Sequence, residues 1–246
     1  MIRVLLSTAA LCLLAHDAGA VECEPVTFQD TRYTVCEVDA ATEALELFLY
    51  DEGGVPLGQF SEVDRKLAAQ QQKLVFAMNA GMYHDNRAPV GHYVEDGQEI
   101  MRVIDTAGPG NFGLLPNGVF CLRENRADVF ETLAFLQAQP ECRDATQSGP
   151  MLVIDGALHP RFLEDGTSEF IRNGVGTSSD GRRVVFAISD EPVNFHSFGL
   201  LFRDHLDLPN ALYFDGKVSR LYAPALGRSD FGFNLGPIVG VVTPAE

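Results

Sequence analysis

Four short segments carry residues able to do chemistry, and each sits at the end of an apolar stretch. The first is Asn79-Ala80-Gly81-Met82-Tyr83, and the second is Gln147-Ser148-Gly149-Pro150. The third runs from Ile171 to Gly176 and contains Arg172 and Asn173. The fourth runs from Ala211 to Ser219 and contains Asp215, Gly216 and Ser219. Glycines at such positions let a backbone approach a ligand closely. Asn, Ser, Arg and Asp side chains bind hydroxyls and phosphates. Asp215 is the candidate catalytic carboxylate and Arg172 the candidate anion clamp. His84 and His196 are second-rank acid/base candidates. Competing readings stand beside these: a tight Asp-Gly bend for Asp215, and a structural ion pair for Arg172.

Other chemistries lack their signatures. The chain has no G-x-S-x-G elbow, no H-E-x-x-H, no Walker loop and no G-x-G-x-x-G. The histidines His84, His92, His159, His196 and His205 match no metal-binding helix. No metal site and no cofactor are expected, although clustered Asp and Asn oxygens leave a divalent metal such as calcium open.

The elements that must position these residues can be read from apolar periodicity. Val26 to Asp51 reads as two strands, and Asp51 to Gly58 as a loop. Ser61 to Gln71 reads as a helix with Ser61 as its cap and Asp64 at the capping-box position. Val63, Leu67 and Ala68 share one face of it. Lys73 to Ala80 reads as a buried strand. Asp96-Gly97, Asp155-Gly156 and Asp180-Gly181 mark hairpin turns. Leu133 to Gln139 is a short helix after the hairpin at Asn125. Asn194 caps another, with Phe195, Phe198, Leu201 and Phe202 on one face. Asn210 to Asp215 and Pro237 to Val242 read as strands. The balance predicts an α+β fold, a strand-rich mixed sheet with about three helices, in one domain over residues 21–246.

The first twenty residues read as an export signal. Arg3 is followed by the apolar stretch Val4 to Leu14 and by Ala18-Gly19-Ala20, a small-x-small cleavage pattern. The alternative is a buried N-terminal helix. The apolar run is too short to span a bilayer. Leu11 before Cys12 and Glu22 before Cys23 speak against lipid attachment. Export to a periplasm or beyond is an oxidising fate. It leaves Cys23, Cys36, Cys121 and Cys142, with three possible pairings, of which the local pairs Cys23–Cys36 and Cys121–Cys142 are preferred. Each would contribute on the order of 3 kcal/mol by constraining the unfolded chain.

Composition excludes further classes. Lys and Arg total 18 against 34 Asp and Glu, a net charge of −16, and the only lysines are Lys66, Lys73 and Lys217. Removing residues 1–20 leaves that charge unchanged. A nucleic-acid partner or a polybasic membrane contact needs the opposite balance. With 46% hydrophobic residues the chain is not disordered. Trp is absent, so the 17 Phe must supply the aromatic core.

Taken in order, NAGMY (79–83), PVGHYVEDG (89–97), GNFGLLPNGVF (110–120), QSGPMLV (147–153), IRNGVG (171–176), ISDEPVNF (188–195), NALYFDGKVSRLYAP (210–224) and GPIVGVV (236–242) resemble the phosphodiester glycosidase family. The resemblance covers roughly residues 45 to 242. It is nearest to the exported bacterial branch and extends to the lysosomal uncovering enzyme. It implies hydrolysis of a sugar-1-phosphodiester or related glycoconjugate, small or polymeric. The residues it marks are Asn79, Gly81, Ser148, Gly149, Arg172, Asp215, Gly216 and Ser219, with Asn173 beside them. Asp215-Gly216-Lys217-Val218-Ser219 stands where the uncovering enzyme has D-G-G-G-S. Asn173 replaces a Thr, and His92 stands where an apolar residue is common. Two rival functions remain: a non-catalytic envelope protein that binds glycans or cell-wall polymers, and a serine hydrolase using Ser148.

Overall fold

Short apolar stretches separated by Asp-Gly and Asn turns favour antiparallel pairing between chain neighbours. The computed structural model describes residues 21–245, so the expected export signal and Cys12 lie outside the described residues. The order is β1 (Glu22–Phe28), β2 (Thr31–Asp39), β3 (Ala44–Phe48), α1 (Phe60–Ala68), β4 (Gln72–Asn79), β5 (Tyr93–Glu95) and β6 (Gln98–Met101). There follow β7 (Gly118–Arg123), β8 (Arg126–Glu131), α2 (Thr132–Ala138), β9 (Asp144–Ser148), β10 (Met151–Ile154) and β11 (Ala157–Leu158). The chain continues with β12 (Asn173–Thr177), β13 (Arg183–Ser189), α3 (Phe195–Leu200), β14 (Asn210–Asp215), β15 (Leu221–Ala223), β16 (Arg228–Ser229) and β17 (Ile238–Pro244). The α+β class and the three helices agree with expectation. The mixed sheet resolves into three sheets in which every strand pairing is antiparallel. Their orders are β1-β2-β13-β12-β14-β10-β11, β16-β15-β4-β17-β3 and β6-β5-β9-β7-β8.

Four phenylalanines join these sheets. Phe76 of β4 lies 4.8 Å, centroid to centroid, from Phe186 of β13. Phe120 of β7 lies 5.9 Å from Phe186 and 6.3 Å from Phe214 of β14. All four are fully buried. One helix covers the outer side of each sheet. Phe60, Val63 and Leu67 of α1 pack on the β4 sheet. Phe135 of α2 packs on the β7 sheet, and Phe198 of α3 packs on the β14 sheet. Alternation along β14 follows from this layering: Leu212 and Phe214 face the shared core, while Ala211 and Tyr213 face α3.

Several boundaries differ from expectation for local reasons. Val26 to Asp51 holds parts of three strands rather than two, because Gln29 and Asp30 take positive φ and turn β1 into β2. Helix α1 starts at Phe60 and ends at Ala68, and its N-cap, Gln59, makes no side-chain cap bond. Asp64 instead accepts from Leu74 N at 2.9 Å, fastening the helix to β4. Phe60, not the exposed Ala68, completes the buried face. Asn194 caps α3 as expected, accepting from Ser197 N, and the helix passes into a π-helical turn over Leu201–His205. Asp96-Gly97 and Asp155-Gly156 take paired positive φ values; at Asp180-Gly181 only the glycine does. Cys23–Cys36 bonds β1 to the facing position of β2, and Cys121–Cys142 bonds β7 to the segment after α2. No helix among the described residues is long and apolar enough to cross a membrane.

Truncating the ring at the sheet junction tests this packing. Phe186→Ala is expected to lower the unfolding free energy by about 3–5 kcal/mol. The measurement is a fall in denaturant midpoint at unchanged slope.

Candidate active site

The site is organised by two amides that water cannot reach. Asn79 ends β4 and Asn173 begins β12, and both are fully buried. Asn79 Nδ2 donates to Asn173 Oδ1 at 3.2 Å, and Asn173 Nδ2 donates back to Asn79 Oδ1 at 2.9 Å. The remaining capacity is also used. Asn79 Oδ1 accepts from Arg220 N at 2.9 Å, and Asn173 Oδ1 accepts from Asp215 N at 3.2 Å. Buried polar groups left unpaired would be costly, so this network fixes the ends of three strands relative to one another.

The loop after β14 folds on its own carboxylate. Asp215 Oδ1 accepts from Gly216 N at 2.6 Å and Lys217 N at 2.9 Å, so the turn reading of this residue holds for one oxygen. Ser219 Oγ closes the loop against the carbonyls of Asp215 (2.7 Å) and Ile171 (2.8 Å). A Cβ at Gly216 would stand 2.2 Å from the Tyr213 hydroxyl, so any larger residue there must displace that ring. Burial raises the Asp215 pKa above its ordinary 3.8, against the opposing N–H groups of Lys217, Gly216 and Val218.

Arg172 precedes β12, and its contacts lie on the α3 side, away from Asn173. Its side chain is fully buried. Nε donates to Val193 O at 2.8 Å and Nη2 to Ser168 O at 2.6 Å. The guanidinium stacks 3.6 Å from the Phe195 centroid, with Tyr213 at 5.3 Å and Phe170 at 5.6 Å. Nη1 has no partner. No carboxylate pairs with it among the described residues, so the ion-pair reading fails. Burial lowers its pKa from the ordinary guanidinium value, but guanidinium stays charged in proteins. The Tyr213 hydroxyl, raised by burial, lies beside the side chains of both Arg172 and Asn111 and feels the charge of Asp215. This arrangement is a buried positive charge without a carboxylate partner, and Tyr213 is the neighbour it has in common with Asp215.

The other expected residues are placed differently. Ser148 is fully buried and donates to Phe214 O at 2.9 Å, so its hydroxyl ties β9 to β14 and is neither a ligand contact nor an activated nucleophile. Gly149 packs on Asn117, where a Cβ would approach to 2.5 Å. Gly81 has φ 143°, and a Cβ there would meet Thr146 Oγ1 at 2.8 Å. His84 is exposed in a turn, and His196 is half-buried on α3 near Asp204. Neither ring is hydrogen-bonded to Asp215 or Arg172. Among the described residues no group of three or more His, Cys, Asp or Glu is arranged to hold a metal ion. Sequence reasoning missed Tyr213, Tyr83 and Asn111. Tyr213 was signalled by its position two residues before Asp215 in a strand; Asn111 had no local signal.

The site thus joins a buried amide pair at the ends of β4, β12 and β14, a guanidinium held among aromatic rings, and a loop anchored on its own carboxylate. A profile of the phosphodiester glycosidase family matches residues 72–231. The uncharacterised protein YigE of Escherichia coli K12 is 32% identical over 220 residues, spanning 89% of this chain and 84% of that one. The chain belongs to the phosphodiester glycosidase family. Its fold is similar to that of the catalytic domain of zebrafish N-acetylglucosamine-1-phosphodiester α-N-acetylglucosaminidase, auto-inhibited by its pro-peptide. The TM-score is 0.64 at 12% identity, over 92% of this chain and 84% of that one. A hypothetical protein from Synechocystis is similar with a TM-score of 0.59 at 11% identity, over 91% of this chain and 62% of that one.

The amide pair makes a measurable prediction. Asn173→Ala is expected to cost about 1–3 kcal/mol through the partners it strands. With Asn79→Ala it should show a coupling energy of about 0.5–3 kcal/mol in a double-mutant cycle read by denaturant unfolding.

Proposed function

We propose that this chain is an exported hydrolase that cleaves a sugar-1-phosphodiester between the anomeric carbon and the phosphate oxygen. The observation that carries the reading is the buried Arg172 guanidinium without a carboxylate partner, which has Tyr213 as a neighbour in common with Asp215, in a chain whose net charge is −16. A buried cation kept without a carboxylate, where carboxylates are abundant, suits an anion supplied by a ligand. Residues 1–20 and the two disulfides support export.

In this reading Arg172 holds the phosphate through Nη1 and stabilises its charge as the C–O bond breaks. Phe170, 45% exposed and packed against the guanidinium, is the ring that must shift to admit it. A phosphate monoester is a weak base and leaves without protonation, which relaxes the two-carboxylate demand of ordinary glycosidases. Ionised Asp215 stabilises the oxocarbenium-like centre or activates the attacking water. Asn79, Asn173 and Ser219 hold its loop, and the N–H groups at Gly216 and Lys217 fix its orientation. Gly81 and Gly149 permit close packing on Thr146 and Asn117.

Asp215→Asn and Arg172→Ala are each expected to lower kcat/KM by about 10²–10³-fold on an aryl sugar-1-phosphodiester or a nucleotide sugar. Asp215 must be ionised to act, and its pKa is raised, so activity falls with decreasing pH at a midpoint above 3.8. That acid limb should disappear in Asp215→Asn. Full activity in both folded variants would sink the assignment. Glycan binding without turnover, unchanged by Asp215→Asn, would instead favour a non-catalytic envelope protein.

A further inference from the structure

The Arg172 side chain is fully buried, so a ligand that reaches it must displace something. Its neighbours divide into two sets. One set belongs to the packed interior. Nε is fixed by Val193 O at 2.8 Å, and the guanidinium lies 3.6 Å from the ring centroid of Phe195, the first residue of α3. Tyr213, fully buried in β14, stands at 5.3 Å. The other set comes from one surface segment, residues 163–170. It supplies the Ser168 carbonyl, 2.6 Å from Nη2, and the half-exposed Phe170 ring at 5.6 Å.

That segment is lightly held. Residues 163–169 lie in no helix or strand, and all of them except Gly166 are exposed. Two side chains tie them down. Asn194 Nδ2 donates to Glu164 O at 3.0 Å and to Gly166 O at 3.1 Å, and Arg172 Nη2 donates to Ser168 O. Thr167, Ser168 and Glu169 make no other hydrogen bond among the described residues. The two ends are firmer. Phe162 stacks between His159 at 4.8 Å and Phe195 at 5.1 Å, and Phe170 exchanges backbone hydrogen bonds with Val193. A stretch with little buried apolar surface and few bonds, fixed at both ends, opens locally at low cost.

Lifting it changes Arg172 selectively. The Nε bond to Val193 O and the contacts with Phe195 and Tyr213 do not involve residues 163–169, so the guanidinium keeps its place. Nη2 loses its carbonyl, and Nη1 has no partner to lose. The freed edge then offers two parallel N–H donors, the fork that matches two oxygens of one phosphate. In the closed form a single neutral carbonyl oxygen holds that place.

We propose that residues 163–169 are a gate over Arg172, closed in this structure by the Ser168 carbonyl and lifted to admit the phosphate of the substrate. The proposal rests on the reading of Arg172 as the phosphate clamp. A charged phosphate oxygen binds guanidinium more strongly than a carbonyl does, so an anionic ligand shifts the population toward the open form. A neutral glycoside has no such exchange to make and leaves the gate shut. The gate thereby favours phosphate-bearing substrates over neutral ones.

A crosslink can hold the gate shut. A Cβ built on Gly166 lies 3.8 Å from the Asn194 Cβ, the separation a disulfide needs. The test uses Gly166→Cys/Asn194→Cys, its crosslink confirmed by mass, with Gly166→Ser/Asn194→Ser as the uncrosslinked control and melting temperature as the fold control. Phenylglyoxal, an arginine-selective reagent, reports opening, and peptide mass spectrometry locates the label. Arg220, also buried and without a carboxylate partner, is the internal reference. In the unsubstituted chain and the serine control Arg172 should label at least about tenfold faster than Arg220, and the crosslink should bring it down to the Arg220 rate. Equal rates for the two arginines in the unsubstituted chain overturn the proposal, as does Arg172 labelling that the crosslink leaves unchanged. Methyl phosphate, titrated calorimetrically, separates the gate from the clamp. It should bind the serine control, protect Arg172 there, and bind the crosslinked chain at least about tenfold more weakly. Equal binding to both, lost in Arg172→Ala, overturns the gate and leaves the clamp. Crosslink-dependent labelling without methyl phosphate binding keeps the gate and sinks the phosphate reading.

Discussion

Two buried amides, Asn79 at the end of β4 and Asn173 at the start of β12, exchange hydrogen bonds between two different sheets. The geometry of the site descends from that exchange. Asn173 Oδ1 takes the N–H of Asp215, and Asn79 Oδ1 takes the N–H of Arg220, so both ends of the loop after β14 are pinned to it. Arg172 is the chain neighbour of Asn173, and fixing one backbone fixes the other's entry on the α3 side. The Phe76, Phe120, Phe186 and Phe214 cluster supplies the apolar contact that brings the sheets close enough for the amides to meet. Burial then makes the network exacting, since any member that slips leaves a polar group without water or partner.

Electrostatics point the same way. The two buried arginines of the described residues, Arg172 and Arg220, have no carboxylate at ion-pair distance. Half-buried Arg123 and Arg228, in contrast, are paired with aspartates. Arg172 relies on carbonyls and on the faces of Phe195, Tyr213 and Phe170. Net charge therefore describes only the long-range field, which salt screens beyond about 8–10 Å. Around the Arg172 guanidinium the balance is local, and no carboxylate offsets it.

Much of the fold was legible in the chain. Strand β14 runs from Asn210 to Asp215 as read, because alternation and an Asp-Gly ending agree there. Asn194 caps α3 because its side chain competes well for a free helix N–H. The two local disulfides also form as preferred. The start of α1 was not legible, since Asp64 is claimed by Leu74 of the next strand rather than by the helix. The candidate residues were legible as chemical types but their contacts were not. Composition marks which groups can hydrogen-bond, whereas tertiary partners decide which remain free. Ser148 commits its hydroxyl to Phe214 O, Asn79 and Asn173 commit their amides to each other and to the loop, and Arg172 keeps one nitrogen without a partner. The rings around Arg172 come from β14, α3 and the segment before β12, so no local pattern announces them.

The central claim is that the bond broken is the one from the anomeric carbon to oxygen, with Arg172 retaining the phosphate. Hydrolysis of a sugar-1-phosphodiester in water enriched in oxygen-18, followed by mass spectrometry of both products, tests it most directly. The account predicts the label in the anomeric hydroxyl of the released sugar and an unlabelled phosphate monoester. Label in the phosphate would show attack at phosphorus and contradict the account.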